Sequence, residues 1–165
     1  MHRTGEVIFV AATALGSMLI LPLAATPASE RNNAMKQIAK GSFEVKVAPI
    51  AQTEHAGGTT LGRFSLAKTF HGDLEGTGAG EMLTAGTSVA GSAGYVAIER
   101  VEGTLGGRQG SFVLQHLGSM AHGGQNLTIT VVPDSGTGEL AGLAGKLQID
   151  IEGKAHFYTF EYSLP

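Results

Sequence analysis

Beyond residue 41, apolar and polar residues alternate with a period of two, which predicts strands rather than helices. Phe43-Glu44-Val45-Lys46-Val47 sets apolar against charged positions, as a half-buried strand does. Similar runs predict strands over Leu61–His71, Leu74–Thr84, Tyr95–Thr104, Gln109–Gly118, Leu127–Val132, Lys146–Glu152 and His156–Leu164. Pro49–Thr60 and Ala85–Gly94 read as loops, and Gly72-Asp73 and Gly106-Gly107 as tight turns. No segment keeps a helical period for three turns. Eight short-spaced strands joined by local hairpins predict an all-β fold, either a closed up-and-down barrel or a sandwich.

The hairpin around Gly106-Gly107 is regular enough to assign faces. Centring the turn there pairs Leu105 with Arg108, Val101 with Phe112, Glu99 with Leu114 and Ala97 with His116. One face then carries Tyr95, Ala97, Glu99, Val101, Phe112, Leu114 and His116. The other carries Val96, Ile98, Arg100, Glu102, Ser111, Val113 and Gln115. The first face is the more apolar and is expected inside. It holds an acid and an imidazole on diagonal positions, within reach of one another. Burial is expected to raise the carboxyl pKa of Glu99, suiting it to acid/base work with His116. A buried pair with a purely packing role is the alternative. The last strand places His156, Tyr158, Phe160, Tyr162 and Leu164 on one face, either as barrel packing or as the lining of a ligand cavity.

The N-terminus has a different pattern. Arg3 precedes an uncharged apolar stretch, Val7 to Leu21, which Pro22 ends; Leu23-Ala24-Ala25-Thr26-Pro27-Ala28 follows. Basic start, apolar core and small-residue exit predict a secretory signal over residues 1–28, cleaved after Ala28 or, less favourably, after Ala25. Residues 29–40 read as a linker and 41–165 as the barrel domain. The mature protein is expected in the periplasm or secreted, with no membrane association after signal removal. Retention of the segment as an anchor is the alternative, although its apolar run falls short of the roughly 20 residues of a membrane span.

Composition narrows the chemistry. Twenty-five glycines against five prolines, without a collagen-like period, fit a β protein with many tight turns. The absence of cysteine excludes disulfides, thiolate catalysis, thiolate metal ligation and a lipid-modified cysteine. A net charge of -3 with no basic stripe argues against a nucleic-acid partner. The six histidines lack ligand spacing, so neither metal nor cofactor is expected. The double glycines are not phosphate loops, and Ser111 lacks the strand–turn–helix setting of a hydrolase nucleophile.

Lys68-Thr69-Phe70, Gly72-Asp73-Leu74-Glu75-Gly76, the stretch from Glu99 to Gly107 with Arg108, Gly110 to His116, and Ser135 to Gly142 occur in this order. In these motifs the chain resembles the bacterial family called domain of unknown function 3224, over about Gly41 to Pro165. Members of that family are similar in fold to allene oxide cyclase and dirigent-type barrels. The resemblance implies one eight-stranded antiparallel barrel with an internal cavity, and no particular activity. The signal sequence and His71 depart from the common pattern. The expectation is an exported barrel holding a small apolar or amphipathic molecule, with Tyr95, Phe112, Leu114, Tyr158 and Phe160 as lining residues. One alternative is a cyclase or isomerase with Glu99 and His116 as a proton-handling pair. The other is a structural or partner-binding barrel filled by its own side chains.

Overall fold

The computed structural model describes residues 35–165. The expected signal segment and residues 29–34 of the expected linker lie outside the described residues. Eight strands run β1 (Gln37–His55), β2 (Thr59–Gly72), β3 (Leu74–Gly86), β4 (Ala93–Leu105), β5 (Arg108–Ala121), β6 (Gly124–Val131), β7 (Ala144–Glu152) and β8 (Ala155–Ser163). Each pairs antiparallel with the next, and β8 returns to β1, so the sheet closes into an up-and-down barrel. The sandwich alternative is thereby removed.

The counted register of the central hairpin is the observed one: Leu105 faces Arg108, Val101 Phe112, Glu99 Leu114 and Ala97 His116. Gly106 and Gly107 turn it with φ of 56° and 83°, a left-handed pair in which a Cβ would be strained. Inward positions of β4, β5 and β8 form one core with Phe43, Phe70 and Leu74. Phe112 stacks on Phe160 at 5.7 Å between centroids, and Phe70 meets Tyr158 edge-on at 5.8 Å. One end of the barrel is sealed. There the connection from β6 to β7 folds under the strands with a single 3-10 turn, Gly138–Leu140, and Leu74, Leu105, Leu140 and Leu143 are all buried. This connection also covers Ser111 on the outer face. The Ser111 hydroxyl lies 2.7 Å from that of Thr137, which explains why an outward residue is buried.

Several strand ends shift by a few residues, and two boundaries differ in kind from the sequence expectation. Pro49–Thr60 is not a loop: β1 continues to His55 beside β2, with a register shift between Pro49 and Ala51, and only residues 56–58 turn. The bulge accommodates a proline that a regular ladder excludes. Both faces of Gln52–His55 are exposed, so no alternation marks them. The end of the expected linker, Gln37–Lys40, is strand because β8 needs a partner: Gln37 faces Tyr162, and Ala39 is buried opposite Phe160.

One seam is unlike the rest. β6 and β7 are registered at a single pair, Thr130 with Lys146. Above that point the two strands have no partners across the gap, although each stays laddered to its other neighbour.

Candidate functional site

β4 brings Glu99 into the barrel and β5 brings His116, as strand parity requires. The third member comes from β2, whose inward positions read Leu66, Lys68, Phe70. Lys68 reaches Glu99 across β3, because the inward positions of β3 between them are Gly76, Gly78 and Gly80. No side chain of β3 stands in the way. A Cβ at Gly78 would fall on Glu99 Oε1, so the carboxylate occupies the space that the glycine leaves.

The geometry is a three-membered buried chain. Lys68 Nζ donates to Glu99 Oε2 at 2.8 Å, and His116 Nε2 lies 3.0 Å from the same oxygen. Glu99 is fully buried, and Lys68 and His116 nearly so. The Lys68 ammonium also sits 4.9 Å from the Phe43 ring centroid and 5.6 Å from that of Phe70, at cation–π range. Glu99 Oε1 is buried without a hydrogen-bond partner.

The expected rise in the Glu99 pKa is corrected here. Burial does push it up and is the largest single influence. The His116 hydrogen bond, the charge and hydrogen bond of Lys68, and a smaller electrostatic pull from His116 together outweigh it and hold the carboxyl below its ordinary value. Glu99 is therefore an ionised acceptor, poorly suited to act as an acid. An ionised Oε2 calls for a proton on His116 Nε2; in the neutral form of the ring, Nδ1 is then an acceptor. Among the described residues Nδ1 has no hydrogen-bond partner, and unlike Glu99 Oε1 it is not fully sealed.

The expected lining residues divide in two. Phe112, Leu114, Tyr158 and Phe160 are sealed in the core, where their neighbours are other side chains. The Tyr158 hydroxyl accepts a hydrogen bond from the Leu74 amide at 2.8 Å, and burial raises its pKa. Tyr95 is half-buried, with its ring over Gly118, the inward position next to His116 towards the open end. Burial raises its pKa also. Phe64, Met82, Met120 and Ile149 are partly buried inward positions of the same end, and Val47 and Leu127 there are exposed. A cavity of about 580 Å³ opens on the outer wall beside the site, lined by Leu83, Val96, Ala97, Ile98, Gln115 and His116, with the Arg63–Glu81 ion pair at its edge. Among the described residues, no group of three or more His, Asp or Glu side chains is placed to hold a metal ion.

Lys68 was absent from the sequence-derived site. Its signal was the inward alternation Leu66-Lys68-Phe70 beside a strand with glycine at every second position.

Comparison with curated proteins gave no match. A solved crystal structure, of a protein with unknown function from the DUF3224 family of Shewanella oneidensis MR-1, is similar with 53% sequence identity and a TM-score of 0.75. The similarity covers 79% of this chain and 99% of that one. The family described as "Protein of unknown function (DUF3224)" matches residues 39–162, and the chain belongs to that family.

Proposed function

We propose that the protein is an exported barrel that binds a small amphipathic molecule at its open end. The observation that carries this reading is the unpartnered Nδ1 of His116 at the base of a half-buried apolar rim of Phe64, Met82, Tyr95, Met120 and Ile149. Such a rim removes apolar surface of a guest from water, while one acceptor orients its polar end. The sealed aromatic residues Phe112, Tyr158 and Phe160, with Leu114, act as the floor below. The likeness to allene oxide cyclase and dirigent-type barrels is part of the proposal and rests on the closed eight-strand order. Export rests on the residue 1–28 pattern, with the mature chain starting at Ser29.

Native mass spectrometry of protein purified under non-denaturing conditions, followed by titration with the neutral apolar dye Nile red, tests the binding reading. A co-purifying small molecule, or saturable dye binding with one-to-one stoichiometry, is expected. A bare mass combined with no saturable binding overturns it.

A second reading, a cyclase or isomerase, is favoured by one contact, the 3.0 Å His116–Glu99 pair, which orients the ring as a base. Glu99→Gln separates the two: a binder keeps most of its affinity, whereas a proton-handling enzyme loses turnover and changes its pH profile.

A further inference from the structure

The seam between β6 and β7 has a position that bears on His116. The strands are registered at Thr130 and Lys146 alone, whereas every other neighbouring pair is laddered over at least seven residues. Had the ladder continued, Leu127 would face Ile149. Both belong to the inward sets of their strands, Leu127 with Ile129 and Val131, Ile149 with Leu147. Leu127 is instead 40% exposed, and Ile151, the next inward position of β7, is 60% exposed. The wall therefore divides into a fork with apolar sides. His116 lies directly across from Ile129, one residue from the registered pair. The fork thus ends beside the imidazole.

The chemistry at its end is specific. Lys68 pairs with Glu99, and Glu99 lies against Nε2, so in the neutral form of the ring Nδ1 presents a lone pair. A lone pair at the end of an apolar fork selects a guest with a single donor, since a second polar group would be buried unpaired.

We infer that the fork between β6 and β7 is a lateral entrance, through which a small apolar molecule bearing one O–H passes between Leu127 and Ile149 and donates that O–H to His116 Nδ1. This rests on the binding reading and adds the route and the head group. An end-on entrance would not need the fork, and a guest lacking a donor would not need the imidazole.

The test uses 2-naphthol, an apolar fluorophore with one O–H whose emission moves to the naphtholate band when a neighbouring base takes the excited-state proton. The chain has no cysteine, so Leu127→Cys with Ile149→Cys gives two unique thiols. They are bridged with a bis-methanethiosulfonate reagent that dithiothreitol cleaves. The expected result is saturable 2-naphthol binding with a naphtholate band in the unbridged protein. Association should slow about tenfold or more on bridging and recover after reduction. 2-Methoxynaphthalene should bind more weakly, and His116→Gln should lose the naphtholate band. Unchanged association in the bridged protein overturns the entrance. Equal affinity for the methoxy compound, or a band that survives His116→Gln, overturns the head group. Nile red binding without 2-naphthol binding overturns the inference and leaves the binding reading standing; binding of neither overturns both.

Discussion

Replacing Lys68 with methionine removes the cation from the buried chain while keeping an unbranched side chain against Phe43 and Phe70. Glu99 then remains fully buried with Oε1 unpartnered and only His116 on Oε2. Removing one partner of a buried ion pair costs about 3–5 kcal/mol, because the remaining charge is stranded. Residues 35–165 give an unfolding entropy of about 0.28 kcal/mol/K, at about 2.1 cal/mol/K per residue. The melting temperature should therefore fall by about 11–18 °C at pH 7. The pH dependence carries a sign as well. In the native protein Glu99 lies below its ordinary value of 4.5, so its contribution is present above that pH and is lost as pH falls through the folded pKa. Without Lys68, burial is opposed by His116 alone, and the folded pKa should rise above the ordinary value. The residue then favours the folded state most below pH 4.5 and less as pH rises through the raised value. The gap between native and variant melting temperatures should accordingly shrink from pH 7 to pH 4. Removing both charges, Lys68→Met with Glu99→Met, should recover much of the loss. Calorimetric or circular-dichroism melts across this range provide the measurement. A fall of under about 3 °C, with parallel pH profiles for the two proteins, would refute an energetic role for the ion pair.

Three further outcomes are expected. Gly78→Ala should destabilise by about 1–3 kcal/mol, because the added methyl displaces Glu99 Oε1; an unchanged melting curve would contradict the niche. Gly106→Val or Gly107→Val should each cost about 1–2 kcal/mol, since both residues hold positive φ, and denaturant unfolding at constant m-value reads this directly. If residues 1–28 are a cleaved export signal, as proposed, N-terminal sequencing of protein recovered outside the cytoplasm should begin at Ser29; recovery of intact Met1 in the cytoplasmic fraction would remove the export proposal.

The fold was legible wherever one face of a strand meets water. Tyr95–Val101 and Phe112–His116 alternate in burial, with Val96 and Ile98 exposed, and a two-residue glycine turn fixed their register by counting. Legibility failed where that contrast is missing. Gln52–His55 project beyond the packed interior and are exposed on both faces, so β1 looked like a loop. Gln37–Lys40 are strand only because β8, at the far end of the sequence, requires a partner, and a closing pair so distant leaves no local mark. The fork between β6 and β7 is likewise a property of the closed barrel: each strand reads normally, and only their mutual placement separates them.

The site was half legible for a related reason. Glu99 and His116 belong to one hairpin, so their shared face follows from the turn. Lys68 belongs to another hairpin, 31 residues away, with β3 between. Without it, a buried carboxyl was expected to titrate high, which is the direction burial alone dictates. The missing charge had nevertheless left a trace in β3. Gly76, Gly78 and Gly80 occupy successive inward positions, and between Leu74 and Met82 the strand has no inward side chain with which to fill its share of the barrel. The volume must be taken up by long side chains from the flanking strands. On β2 and β4 the inward residues aligned with those glycines include Lys68 and Glu99, opposite in charge and long enough to meet over the glycine floor. Alternate glycine in a barrel strand is thus a signal for a cross-strand contact two strands wide.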